Sequence, residues 1–489
     1  MSNQRLLVMK FGGTSLGEAA RFRECAQIVG QAARQDRVIV VVSAVAGVTD
    51  LIFRAIEAAR HGDVAEAEAL LRKFESVHRE LMAQLFSGDR LAGALELLAG
   101  IFARLESSVR ALLALRSGIS AETTDSLVAL GERVSAWVLA NYLEQCGSPS
   151  ECVRAEDVIV TDHNFGNAAP DPEATRAGCC RVLLPILERG AAPIVAGYSG
   201  ATHDGRTTTL GRGGSDYSAT IIGAAVHANE VWIWTDVDGV LTADPRICPD
   251  ATTLPEISFA EAIELAYYGA KVIHPKAAYP AADAGFPVRI KNSFRPQAAG
   301  TRITRAPRTV NSPVKSVTCV KNAALLTLVS RRDVHPVELW GRLFSRLGQE
   351  HIETLFATQS SPEHALGLVL RQEDSPRVLR LINSIFRMEL AQGVLNPVEV
   401  NDVAVVAVLG ESMKGTCGIL GRVFSAVALR HVSVIAVAQG ASELSICFAV
   451  AASAAAEVVR AVHSEFFAKA DFAVPVCLRP SQSPVSSAR

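Results

Sequence analysis

Residues 38–45, Val-Ile-Val-Val-Val-Ser-Ala-Val, form an unbroken apolar run rich in β-branched side chains, the pattern of a strand covered on both faces. Similar runs recur at Leu6 to Met9, Ala192 to Ala196 and Glu230 to Trp234. Between them, the stretches Ala19 to Ala33, Val64 to Leu85 and Ser126 to Leu143 space apolar residues three and four apart and predict helices. This alternation predicts an α/β sandwich around a mostly parallel sheet, in which ligands collect at the carboxyl ends of strands. Around Ala298 to Pro313 the composition shifts to Pro, Gly, Thr and Arg, which predicts a linker.

Beyond the linker the chain repeats itself. Residues 339–370 align without a gap on 419–450 at an offset of 80 residues, pairing His351 with His431, Gln359 with Gln439 and Glu363 with Glu443. Each copy reads helix, strand, polar turn, strand, helix, which predicts two related domains packed together. Duplication alone leaves two uses open, ligand binding and dimerisation. The Ser- and Pro-rich end from Pro480 to Arg489 predicts a disordered tail.

The chain has 489 residues, 49% of them hydrophobic, enough for about two to four domains. Lys and Arg number 48 against 50 Asp and Glu, so no broad field favours nucleic acid or an anionic membrane. Any anion must be met locally. No apolar stretch approaches the ~18–20 residues of a membrane span. Ten cysteines form no C-x-x-C pair and the N-terminus shows no secretory pattern, so reduced thiols and a cytoplasmic location are expected. The adjacent Cys179 and Cys180 read as small apolar residues and not as a redox pair.

Three glycine-bearing stretches can cradle phosphate, and none is a Walker loop. In Lys10-Phe11-Gly12-Gly13-Thr14-Ser15 a strand delivers a lysine at its end, and two glycines let backbone N–H groups approach an anion before a helix begins near Leu16. A lysine before a glycine turn is also a common solvated strand end. The stretch from Thr207 through Leu210-Gly211-Arg212-Gly213-Gly214-Ser215-Asp216 precedes an Ala-rich helix at 219–228, with Ser215 or Asp216 as a candidate N-cap. A cap leaves Arg212 and the glycines unexplained. The third stretch, Thr235-Asp236-Val237-Asp238-Gly239, reads either as an anion loop or as a plain hairpin turn. Ser43 to Thr49 ends a strand with small residues and a hydroxyl, and Glu132 lies on a helix whose default reading is solvent-exposed.

Taken together, these stretches and the run Tyr268-Gly269-Ala270-Lys271-Val272-Ile273-His274-Pro275 resemble the aspartokinases over nearly the whole chain. The resemblance implies a three-layer α/β/α amino acid kinase domain of the carbamate kinase type at 1–306. Two ferredoxin-like ACT domains would follow at 317–400 and 401–467, with 468–478 as a candidate completion of the first and 479–489 as a tail. It implies Lys10 and Asp216 as catalytic residues and Thr49, Glu132, Arg212 and Ser215 as aspartate contacts. Lys10, Gly12, Gly13, Ser15, Thr235, Asp236, Arg246 and Lys271 would meet ATP, with Mg²⁺ brought by the nucleotide, and His274 would be structural. One departure is Leu241, where the family often has a tyrosine near the adenine.

The implied reaction is phosphorylation of the β-carboxylate of L-aspartate to 4-phospho-L-aspartate, the first step toward lysine, threonine and methionine. The wording at 232–282 and 403–450 most resembles the kinase half of the bifunctional aspartokinase and homoserine dehydrogenase enzymes. No G-x-G-x-x-G segment follows Phe467, so a monofunctional kinase is expected. Lysine-responsive members carry an acidic residue at the position of Leu355, whereas Gln359 and Gln439 match glutamines linked to threonine sensing. The loop Arg331 to Val337 departs from the glycine-containing version kept at Met413 to Gly418. A weak threonine response or none is therefore expected, in a homodimer or homotetramer built through ACT strands. The alternatives are a glutamate or acetylglutamate kinase and a catalytically silent amino-acid sensor.

Overall fold

The structure is a computed structural model describing residues 4–115, 119–270, 273–307, 312–330, 336–360 and 365–468. Lys271, Glu363, most of the loop 331–337, and all but the first residue of the candidate strand 468–478 lie outside these, as does the predicted tail. The chain forms two compact units. The first comprises 1–240, 255–259 and 272–307, and the second comprises 241–254, 260–271 and 308–489.

In the first unit, strands β1 (Leu6–Phe11), β2 (Arg37–Val42), β3 (Ser150–Val153), β5 (Ala192–Ala196), β8 (Glu230–Thr235), β9 (Glu256–Ser258), β10 (Val288–Asn292) and β11 (Thr301–Thr304) make one sheet in the order β3-β5-β2-β1-β8-β10-β11-β9. A separate small sheet joins β4 (Val160–Thr161), β6 (Ser199–Thr202) and β7 (Thr207–Thr209). The large sheet is parallel except between β10 and β11. Val38 to Val42 are all buried, which is why β2 reads as a continuous apolar run. Helices Ala19–Ala33 and Leu130–Gln145 cover one face, and Pro172–Glu188 and Gly214–Ala225 cover the other, giving three layers.

Two predicted helices, Ala19–Ala33 and Val64–Leu85, occur with the expected bounds. The third, Ser126 to Leu143, is divided at Ala129 into Ala121–Val128 and Leu130–Gln145. The linker starts later than its composition suggests. Thr301 and Ile303 are buried and β11 pairs with both β10 and β9, so a polar Thr-Arg-Ile-Thr run is a strand inside the sheet, next to its edge strand β9. Among the described residues, no helix is long and apolar enough to cross a membrane.

The second unit is built on an antiparallel sheet of β12 (Ser316–Ser330), β13 (Thr354–Ser360), β14 (Ala365–Arg371), β15 (Leu395–Leu409), β16 (Ala436–Gln439) and β17 (Ser445–Ala451), in the order β13-β14-β12-β15-β17-β16. The internal repeat is visible in backbone geometry. His351 and His431 both take left-handed conformations, at φ 52° and 55°, and so do Asn322 and Asp402, at 59° and 57°, each pair 80 residues apart. The two modules are intertwined and not consecutive. Residues 323–329 of β12 pair with β14, whereas 316–320 pair with the half of β15 that also pairs with β17. Accordingly Val314 and Val317 pack into the second module's core and Leu395 into the first's, so the expected boundary near 400 is crossed by a strand in each direction. Inside this unit, Lys315 and Glu261 form a buried ion pair at 2.8 Å, and Glu261 also accepts the Glu411 N–H at 2.7 Å.

Candidate active site

Strand β1 lies between β2 and β8 and is parallel to both, so the turns after these strands emerge side by side at the sheet's carboxyl edge. The chain returns to opposite sides of β1, which makes this the switch point of the sheet, where open α/β folds bind ligands. A cavity of about 310 Å³ opens there. Its lining includes Lys10, Gly13, Thr49, Glu132, Tyr198 and Ser215, together with Asp216. Of the residues expected at the site, the structure thus brings together five around one cavity, Lys10, Gly13, Thr49, Glu132 and Ser215, and places a sixth, Asp216, in an ion pair with Lys10, Nζ to Oδ1, at 2.5 Å.

Glycines permit this convergence. Gly213 takes φ 69° and caps the helix Gly214–Ala225, and a Cβ there would overlap the His274 side chain. The N-cap is thus a left-handed glycine, and neither Ser215 nor Asp216 caps with its side chain. The helix also begins five residues before the predicted 219, because Gly213 frees Ser215 and Asp216 to form its first turn. Likewise Gly47, at φ 78°, starts Val48–Arg60 with no side-chain cap. First-turn N–H groups have no acceptor within their own helix, so both helices present donors and positive dipole ends to an anion. Gly213→Ala is expected to destabilise the fold by about 2–4 kcal/mol, from backbone strain plus overpacking. Thermal unfolding of the variant measures it.

Glu132 overturns its default reading as an exposed helical residue. It is 3% exposed, and Oε2 has no hydrogen-bond partner. A Cβ at Gly131 would lie 2.9 Å from the Ala44 Cβ, so the absence of a side chain there lets the helix pack against the turn after β2 and carry the carboxyl beneath it. Burial pushes its pKa up to about 8, opposed in part by backbone hydrogen bonds from Ala44 and Glu132 itself. A buried carboxyl without a counter-ion is costly unless a cation arrives, and an amino acid's ammonium is such a cation.

Other expected residues lie differently. Ser15 is 1% exposed, and its hydroxyl bonds the Ser293 hydroxyl at 2.8 Å, which donates in turn to the Thr235 carbonyl at 3.1 Å. With the Gly12 N–H donating to the Trp234 carbonyl at 3.2 Å, this ties the first glycine stretch to the third, and neither Gly12 nor Ser15 lines the cavity. Thr235 donates to Asp236 at 3.1 Å at the end of β8. Arg212 is exposed, with no ion-pair partner among the described residues. Arg246 groups with the second unit, where its guanidinium is 88% exposed and held by Asp244 at 2.7 Å.

Two residues escaped the sequence reading. Asp125 is buried and accepts from the Thr209 N–H, the Thr209 hydroxyl and the Gly166 N–H, each at 2.8 Å, which fixes the loop that leads to Gly213. Tyr198 lines the cavity at φ 70°, and its ring stands where a Cβ on Gly214 would come within 2.7 Å. An isolated Asp or Tyr in a polar stretch carries no local signal. The left-handed Tyr198 is legible only once the β5–β6 turn is seen.

A cavity at a switch point, floored by an uncapped helix start and lined by a lysine paired with Asp216 and by a buried glutamate that has no counter-ion among the described residues, defines a small-molecule kinase of the amino acid kinase fold. The comparisons agree: residues 5–292 match the Amino acid kinase family, and 406–466 match an ACT domain. The lysine-sensitive aspartokinase 3 of Escherichia coli is 34% identical over 94% of this chain and 99% of its own. The crystal structure of E. coli aspartokinase III in complex with aspartate and ADP (R-state) aligns at TM-score 0.79 and 31% identity, covering 94% of this chain and 100% of that one. The chloroplastic bifunctional aspartokinase/homoserine dehydrogenase 2 of Zea mays is 33% identical over 94% of this chain, which spans about half of that relative's length. This chain belongs to the aspartokinase family.

Proposed function

We propose that the protein transfers the γ-phosphoryl group of ATP to the β-carboxylate of L-aspartate. The observation that carries this reading is Glu132, a buried carboxyl whose Oε2 has no hydrogen-bond partner and which has no counter-ion among the described residues, in the same cavity as Lys10 and two helix N-termini. The ammonium of the substrate neutralises Glu132, and Thr49 and Ser215 contact its polar groups. Arg212, an exposed and unpaired cation on the loop before Gly213, is free to clamp the α-carboxylate.

The nucleophile is the substrate's own β-carboxylate, whose reference pKa near ~3.9 leaves it ionised at neutral pH, so no general base is needed. Charge is the obstacle, since unit like charges ~4 Å apart repel by ~4 kcal/mol at an effective dielectric of ~20. Lys10 offsets that repulsion at the transferring group once the phosphoryl displaces Asp216 from its ammonium. The amides of Gly13 and Thr14 and of the two helix starts act alongside it. Alignment and electrostatic stabilisation of an in-line transfer supply the catalysis. Mg²⁺ would enter on the phosphates and add charge neutralisation. Thr235 and Asp236, at the end of β8, contact the nucleotide.

Hydroxylamine trapping of the acyl phosphate, run with aspartate, glutamate and acetylglutamate in turn, tests the assignment. Aspartyl hydroxamate alone supports it. Turnover with another substrate makes the protein a different amino acid kinase, and turnover with none makes it a sensor. The pH dependence of aspartate binding is a second test. Because Glu132 must lose its proton to pair with an ammonium, affinity should rise by about tenfold per pH unit below pH 8 and level off above it. Isothermal titration across that range measures it, and Glu132→Gln should flatten the profile.

For regulation, threonine is the favoured effector over lysine. The relative named for lysine sensitivity is 34% identical, but Leu355 here is apolar and buried and offers no charge to a lysine ammonium. Gln359 and Gln439 are exposed on β13 and β16, the two edge strands, which approach one another as the sheet curls. Edge strands of this kind can also pair with a second copy, in keeping with a homodimer or homotetramer. Turnover titrated with threonine and with lysine separately should show weak inhibition by the first and none by the second.

A further inference from the structure

The second module carries a cavity of about 410 Å³ that phosphoryl transfer does not use. Helix Ala455–Phe467 supplies Glu457, Arg460 and His463 to its walls. Arg430 comes from just beyond helix Ile419–Ala428, and Cys248 and Asp250 come from the segment 241–254. That segment is part of the same unit and is firmly seated. Ala243, Ile247 and Cys248 are buried in the module's core, and the Val317 N–H donates to the Thr242 carbonyl at 2.9 Å. His463, 2% exposed, shares a hydrogen bond of 2.9 Å with the Thr242 hydroxyl. Its Nδ1 stands 3.9 Å from Asp250. Burial lowers its pKa, so the ring is neutral and offers a hydrogen bond and no charge.

The charges around this cavity do not cancel one another. On the same helix Glu465 is paired with Arg422 at 2.9 Å, yet among the described residues Arg430, Arg460 and Glu457 have no ion-pair partner, and Asp250 has only the distant imidazole. A bare anion would meet two carboxylates here, and a bare cation would meet two guanidiniums. A molecule carrying both charges satisfies all four groups. We propose that this cavity binds a small zwitterionic amino acid, its carboxylate held by Arg430 and Arg460 and its ammonium by Asp250 and Glu457. This site shares no residue with the effector positions Gln359 and Gln439.

The test is isothermal titration of the full chain carrying Gln359→Ala and Gln439→Ala, using the standard L-amino acids other than aspartate one at a time, and inorganic phosphate. At least one amino acid should bind, phosphate should not, and adding Arg430→Ala with Arg460→Ala should weaken binding by about tenfold or more. Both arginines are exposed, so unchanged thermal unfolding of that variant is expected and confirms its fold. The proposal is overturned if no amino acid binds, if the arginine variant binds equally well, or if phosphate binds in their place. Heat of binding is read without turnover, so a negative result leaves the kinase assignment standing.

Discussion

Lys10→Ala is expected to lower kcat by about 10²–10³-fold, the usual cost of losing one preorganised charge at a transferring group. The ammonium sits at the end of β1, buried and paired with Asp216 at 2.5 Å, and among the described residues no other cation lines the cavity. The variant should fold, since the strand's register depends on backbone pairing to β2 and β8 and not on this side chain. KM for aspartate should change far less than kcat, because the interaction is strongest once charge has moved onto the phosphoryl oxygens. Steady-state kinetics with unchanged circular dichroism is the check, and near-normal turnover would mean that the site is misplaced.

Glu132→Ala should act on the opposite parameter. Removing one partner of a buried charge pair costs about 3–5 kcal/mol, so KM for aspartate should rise by roughly two to three orders of magnitude. Without substrate the same variant should be no less stable than the parent at pH 9. There the buried carboxyl of the parent is forced to ionise without a counter-ion, its pKa being about 8. Its folded pKa lies above the ordinary carboxylate value, so it weakens the parent as pH rises from the ordinary carboxylate range to about 8, and the loss is complete above that. A variant with impaired binding and equal or better stability separates a substrate contact from a structural support. A merely structural glutamate would give the reverse.

The strands and helices of the first unit are legible in the sequence wherever burial is two-sided or periodicity is long. Val38 to Val42 and Val64 to Leu85 declare themselves because the buried side is apolar throughout in the first and at every position but His78 in the second. Strand β11 does not, since its buried positions include a threonine whose hydroxyl accepts the Val240 N–H at 2.8 Å. Lys10, Gly13, Ser215 and Asp216 are recoverable from motif chemistry. Asp125 and Tyr198 are not, because their roles depend on partners 84 residues away in one case and on a left-handed turn in the other. The duplication is plain from paired residues, yet its intertwining is hidden. Strands β12 and β15 each serve two modules, and a local pattern of apolar residues does not say which neighbour a strand half will choose.

Glu132 shows most clearly what structure adds. A helical glutamate after a Leu-Gly step is unremarkable in sequence, and only the close approach allowed by Gly131 takes its carboxyl out of water. The physical demand this creates, a cation for a buried acid, converts a family likeness into a statement about which end of the substrate goes where.

The most direct test is a crystal structure of the protein with aspartate and a non-hydrolysable ATP analogue. The account predicts the aspartate ammonium within hydrogen-bond distance of Glu132, the terminal phosphate beside the Lys10 Nζ, and the β-carboxylate in line between them. Nucleotide bound elsewhere, with Lys10 still closed on Asp216 and Glu132 still unpartnered, would contradict it.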